Sequence, residues 1–183
     1  IPSEGDEIPR LHKVGCSYIN QIYYKRTQYV LAYLHYLIHK DRYASIRKAL
    51  MFIFTSMLPK LTRMNRYMPQ HGSRALVGPM ANTLYIPPQC VENNPIDQFK
   101  YQAGKVLRAM ELCNDGAVVQ TTSATSSQLP NCSVDYIFTD PPFGANIMYS
   151  ELNTVSESWL KVMTNNTEEA ISNKTQHKGL PEY

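Results

Sequence analysis

At 183 residues, 43% hydrophobic and 18% charged, the chain has the composition of a folded domain with a real core, not of a disordered tail. Its net charge of +3 hides an uneven distribution: from residue 10 to residue 74 the only acid is Asp41, among Arg10, Lys13, Lys25, Arg26, Lys40, Arg42, Arg47, Lys48, Lys60, Arg63, Arg66 and Arg74. Cys16, Cys90, Cys113 and Cys132 lack any Cys-x-x-Cys spacing, which argues against zinc and against a disulfide framework.

Reduced thiols in a cytoplasmic protein are the expectation. Residues 1–10 are polar and acidic, unlike a secretory leader. No uninterrupted apolar run reaches the roughly 20 residues that a membrane helix needs, so no membrane partner is expected.

In chain order, residues 17–40 are expected to be helical, with Ser17 as N-cap and Ile19, Tyr23, Val30, Leu34, Leu37 and Ile38 near a 3.6-residue period. Tyr23, Tyr24, Tyr29, Tyr33 and Tyr36 lie on or beside that stripe. Stacking on nucleotides is one role for them; half-buried packing with the hydroxyl at the surface is the expected one. The turn at Asp41-Arg42-Tyr43 ends or bends this helix. A second helix is predicted over 45–64, with Ile46, Leu50, Ile53, Phe54, Met57, Leu58 and Leu61 on one face and Pro59 kinking or ending its first segment.

Residues 68–95 are rich in Pro and Gly and predict a loop, with a short strand at 83–86. Asn94 as N-cap and Pro95 at the first helical position open a helix expected to reach about residue 113. Residues 116–122 predict a buried strand, 123–133 a polar loop, and 134–139 a second buried strand roughly parallel to the first. A helix carrying Val155, Trp159, Leu160 and Val162 follows, and the polar residues 164–183 are expected to be mobile.

The most informative run is Asp140-Pro141-Pro142-Phe143. Two prolines cannot donate ladder hydrogen bonds, so the strand must stop there. The crevice beyond the carboxyl ends of parallel strands is where open α/β sheets bind ligands. A carboxylate, two rigid peptide carbonyls and an aromatic ring are thus delivered together. They suit a planar amine: the oxygens accept its hydrogen bonds, the ring stacks on its heterocycle, and the nitrogen lone pair is left facing an electrophile.

In this tetrapeptide and the apolar stretch before it, the sequence resembles the DNA amino-methyltransferases, of the adenine N6 and cytosine N4 type, whose hallmark is Asp/Asn/Ser-Pro-Pro-aromatic. The specific resemblance covers about residues 116–153, and the loop with Asn146, Tyr149, Glu151 and Asn153 looks like one from a prokaryotic branch of large DNA methyltransferases. The resemblance implies a partial Rossmann-like α/β sheet and transfer of a methyl group from S-adenosylmethionine to the exocyclic amine of a base extruded from DNA. It implies amine binding by Asp140, Pro141 and Pro142, base stacking by Phe143, and no metal. It also implies a place in restriction-modification. The Gly-x-Gly cofactor turn of the family has no counterpart here, since Gly78 in Leu76-Val77-Gly78-Pro79 has no partner glycine. The chain is therefore expected to be an excerpt of a longer enzyme, working with the remainder of its parent polypeptide and incomplete by itself.

The expected organisation is a basic helical region over 1–80 and a partial methyltransferase domain over 81–183. The basic region suggests DNA as partner, with Lys25, Arg26, Arg42, Arg47, Lys48, Lys60, Arg63 and Arg66 as candidate phosphate contacts; a solvated face is the alternative. Other readings are a methyltransferase for RNA or another amine or amide, a non-catalytic nucleic-acid-binding module, and an interaction domain of a multi-subunit modification system.

Overall fold

The computed structural model describes residues 5–70, 76–112, 116–120, 122, 126, 128–140, 144–165, 167, 169, 171–174 and 177–179. Five helices dominate: α1 (Ile8–Lys13), α2 (Lys25–Lys40), α3 (Ala44–Met57), α4 (Pro95–Leu112) and α5 (Tyr149–Leu160). Strands β1 (Arg66–Tyr67) and β2 (Leu76–Val77) form one short antiparallel pair, with Arg66 opposite Val77.

The expected helix over 17–40 is split in two. A single 3₁₀ turn, Ile19–Ile22, is followed by extended backbone at Tyr23 and Tyr24 before α2 begins. The Gln21 side chain accepts the N–H groups of Ser17 and Tyr18 at 2.6 and 2.9 Å, closing the short turn on itself. The extended step turns Tyr23 into the core, where Trp159 Nε1–H donates to its hydroxyl at 3.3 Å. Burial pushes the Tyr23 phenol well above its ordinary pKa. Here tertiary burial outweighs the local helical pattern.

The α2–α3 hairpin keeps the expected turn and most of its apolar stripes, although Leu37 and Ile46 are 43% exposed. Tyr18 and Tyr24, not Ser17, precede the helical stretches. Asp41 is extended and its carboxylate accepts the Tyr43 N–H at 2.8 Å, which breaks the helix at the expected turn. Ile53, Phe54 and Met57 are buried on α3, and Pro59 falls in a 3₁₀ turn, Leu58–Leu61, that ends the α-helical stretch. Tyr23, His35, Phe54 and Trp159 meet as an aromatic cluster, with Phe54 and Trp159 edge to face at 5.3 Å between ring centres. That cluster joins α2, α3 and α5 around the core of Leu31, Ile38, Met57, Leu58, Leu61 and Val155.

Beyond the hairpin, Asn94 caps α4 as its sequence predicts, its side chain accepting the Ile96 N–H at 2.9 Å. Leu84 and Ile86 are buried, but residues 83–86 form no strand. Residues 116–120 and 134–140 also form neither helix nor strand, and Val118, Val119, Tyr136, Ile137 and Phe138 are largely exposed. A strand needs ladder partners for its N–H and C=O groups, and no described residue supplies them to either segment. In the polar C-terminal stretch the described residues include two buried side chains. Ile171 and Asn173 are buried, and Asn173 bridges Lys178 through paired backbone hydrogen bonds of 2.9 Å.

Candidate functional site

Asp140 sits at the end of the exposed segment 134–140, itself exposed, and among the described residues no cation pairs with its carboxylate. Pro141, Pro142 and Phe143 lie outside the described residues. The chain resumes at Gly144, whose φ of +54° favours glycine and whose carbonyl accepts the Ser172 N–H at 3.3 Å.

A few residues on, the loop is tied firmly to the rest of the molecule. Met148 is buried at the N-cap of α5, and Glu151, on the first turn of that helix, is only 2% exposed. The Glu151 carboxylate accepts the backbone N–H groups of Asp6, Glu7 and Ile8 at 2.9, 2.7 and 3.2 Å, and the Asn173 amide donates to it at 3.4 Å. These N–H groups open α1 and have no intrahelical partner, so a carboxylate is well matched to them. Gly5 completes the fit, because a Cβ there would stand 2.3 Å from Glu151 Cδ. Glu7 extends the link by accepting from the Leu84 N–H at 2.9 Å and from the Thr83 hydroxyl. Nothing local in the sequence marks Glu151 for this role: an acid in the first turn of a helix ordinarily serves that helix's own N-terminus. Nearby, Asn146 in the loop and Tyr149 and Asn153 on α5 are exposed.

The basic candidates fall into two groups. Arg26 is held by Glu92 through two hydrogen bonds, one of 2.7 Å, while Thr27 donates to the same carboxylate at 2.8 Å. This pairing holds the Glu92 carboxyl below its ordinary pKa. Arg63 donates to the Gln21 carbonyl at 3.1 Å, and Arg66 to that of Gly78 at 3.3 Å. Arg47 braces the α2–α3 turn through the Asp41 carbonyl at 2.6 Å. These four are committed to the fold. Lys25, Arg42 and Lys48 are exposed without ion pairs among the described residues, and Lys60 lies 5.8 Å from the Tyr101 ring centre.

The tyrosines divide in the same way. Tyr23 is buried and Tyr36 is half-buried at 50%, but Tyr29 and Tyr33 are 77% and 63% exposed, more than the expected half-buried packing.

Gly78 is not placed as a cofactor-binding glycine turn. Gly78 follows the antiparallel strand β2 and its carbonyl is taken by Arg66, so it does not lie at a strand-to-helix turn open to a ligand. Among the described residues no group of three or more His, Cys, Asp or Glu side chains is placed to hold a metal ion, and no helix is long and apolar enough to cross a membrane. Comparison of the chain with known protein families, with curated proteins and with solved structures gives no match.

Proposed function

We propose that the chain is the amine-binding part of a cytoplasmic DNA methyltransferase that modifies the exocyclic amine of adenine, or of cytosine, within a longer polypeptide. The observation that carries this is the run Asp140-Pro141-Pro142-Phe143 directly after the apolar residues 134–138. Asp140 accepts a hydrogen bond from the amine and offsets the positive charge that develops on its nitrogen; the carbonyl of Pro141 is the second acceptor. Phe143 stacks on the extruded base. S-adenosylmethionine is the methyl donor that the resemblance implies, and its binding loop belongs to the remainder of the parent.

Two features support an incomplete α/β sheet. Residues 116–120 and 134–138 have strand-like sequences, yet Val118, Val119, Ile137 and Phe138 are between 75% and 95% exposed. Apolar runs of this kind are stable when flanking strands and covering helices bury them. The helix after the tetrad, by contrast, is already anchored through Glu151.

The test is methyl transfer by the intact parent from labelled S-adenosylmethionine to duplex DNA, with the product nucleosides identified by mass spectrometry. N6-methyladenine or N4-methylcytosine is expected. Label recovered in RNA or protein, with none in DNA, overturns the assignment.

A further inference from the structure

The exposed face of α2 has a composition that its own fold does not use. At about 100° per residue, Lys25, Tyr29, Tyr33, Tyr36 and Lys40 fall within a stripe roughly 80° wide. The buried residues Thr27, Leu31 and Ile38 occupy the opposite side. Tyr33 and Tyr36 lie nearly parallel, 24° apart in plane with ring centres 6.4 Å apart, and Lys40 Nζ sits 4.6 Å above the Tyr36 ring. No acid occurs anywhere in α2. Its first turn instead begins with Lys25 and Arg26, at the end where the helix dipole favours negative charge. Among the described residues, Glu92 pairs with Arg26 and no acid pairs with Lys25.

The stripe leads to the α2–α3 corner. A cleft of about 230 Å³ opens there, lined by Ile38, His39, Ala44, Arg47, Lys48 and Met51. Arg42, stacked on Tyr43 at 4.6 Å, lies in the same turn. Three aromatic rings with a lysine at either end thus span some 22 Å of helix.

We propose that this face, from Lys25 to Lys40 with the adjoining cleft, binds an unpaired strand of DNA. Tyr29, Tyr33 and Tyr36 offer their rings to successive bases, while Lys25, Lys40 and Lys48 meet phosphates. The rings rise along the helix by about 6 and 4.5 Å per step, more than the ~3.4 Å repeat of a stacked strand. They therefore match bases that have been spread apart, and bases paired inside a duplex do not present their faces to side chains at all. An enzyme that extrudes a base leaves such unpaired nucleotides beside its site. This inference rests on DNA as the substrate but not on the chemistry of the tetrad. Failure here would leave methyl transfer by the parent untouched, and Asp140→Asn should leave this binding unchanged.

The experiment is fluorescence anisotropy of the full 183-residue chain with a labelled mixed-sequence oligonucleotide of about a dozen nucleotides, single-stranded and as a duplex, over a range of salt. The single strand should bind more tightly than the duplex. Replacing Tyr29, Tyr33 and Tyr36 together by Ala should weaken single-strand binding by roughly a hundredfold, the product of three stacking losses of the smallest usual size. The salt dependence should not change, because a ring displaces no counterions. Replacing Lys25, Lys40 and Lys48 by Gln should instead lower the salt slope by about 2, at roughly 0.7 per contact on a single strand. The triple Tyr→Phe variant should bind like the parent chain. Since these side chains are exposed, the variants should keep the helical circular dichroism; if the triple Ala variant does not, Tyr29→Ala alone gives the reading, with an expected loss of about fivefold. Duplex binding as tight as single-strand binding, or alanine variants that bind like the unmodified chain, would overturn the proposal and leave the face as a surface for protein or solvent.

Discussion

Glu151 accepts the backbone N–H of Glu7 at 2.7 Å, across 144 positions of sequence. The helix that follows the tetrad is thereby fastened to the first turn of α1, and through Glu7 to residues 83 and 84. Glu151→Ala would leave three backbone donors without their acceptor in a buried setting, and should cost about 3 kcal/mol of stability. Glu151→Gln keeps an acceptor oxygen but faces an amide towards other donors, so it should fall between. Gly5→Ala should also destabilise, by about 2 kcal/mol, since a side chain at φ +149° is strained and its Cβ meets the anchored carboxylate. Denaturant unfolding checks all three. A Glu151→Ala variant as stable as the parent chain would mean that the N-terminal segment is not held in this way.

The Arg26–Glu92 pair predicts a pH response. Glu92 has a folded pKa held below its ordinary value, first by the hydrogen bonds from Arg26 and then by that from Thr27, against the opposing effect of burial. A depressed carboxyl contributes stability that is present above its unfolded pKa and is lost as pH falls through the folded one. Arg26→Gln should therefore raise the Glu92 pKa, followed by NMR of the side-chain carboxyl. It should leave stability at neutral pH little altered, because Arg26 is fully exposed. No movement of Glu92 in the variant would show that the two groups are not paired in solution.

His35 gives the second pH response. Its ring touches Phe54, Trp159 and His39, and its Nε2 lies 3.0 Å from the Trp159 carbonyl, to which the neutral Nε2–H tautomer donates. Burial lowers its pKa most, followed by the charge of His39. The unfolded chain then binds more protons than the folded one between the two pKa values. Stability from this site is complete above about pH 6.5, the unfolded value, and declines as pH falls from there towards the folded pKa. His39→Gln should raise the His35 pKa in an NMR titration. An unshifted or lower value would remove His39 from the account.

Parts of this architecture were legible in the residues. The apolar stripe of α3, the stop at Pro59 and the cap at Asn94-Pro95 are local features, and each appears where its pattern places it. The interruption at Tyr23 and Tyr24 was not legible, because it is decided by the burial of Tyr23 against Trp159, far away in sequence. Glu151 was invisible for the same reason: its donors belong to residues 6–8. The exposed tyrosines of α2 are a different case. Their angular separation from Leu31 and Ile38 follows from the 3.6-residue period alone, yet a tyrosine near an apolar stripe is ordinarily half-buried, and that general tendency placed Tyr29 and Tyr33 too deep. The buried strands expected at 116–122 and 134–139 depend on ladder partners and covering helices, and none of the described residues supplies these to 116–120 or 134–139.

If the proposed function holds, the tetrad can be tested by chemistry in the longer polypeptide it invokes. Asp140→Asn keeps the shape and one carbonyl acceptor but removes the negative charge opposite the nitrogen that turns positive during transfer. Removal of one preorganised electrostatic contact commonly lowers turnover by about 10²–10³, so a loss of this size is expected with little change in binding of the methyl donor. Phe143→Ala should act differently, weakening retention of the extruded base by about the 1–3 kcal/mol of a stacking contact. Phe143→Trp preserves a flat ring and should be tolerated. Single-turnover methylation of a duplex carrying the parent's recognition site separates these effects, since the rate of transfer reports Asp140 and the dependence on DNA concentration reports Phe143. Unmodified rates in both Asp140→Asn and Phe143→Ala would reduce Asp140-Pro141-Pro142-Phe143 to a structural turn and remove the basis of the proposed function.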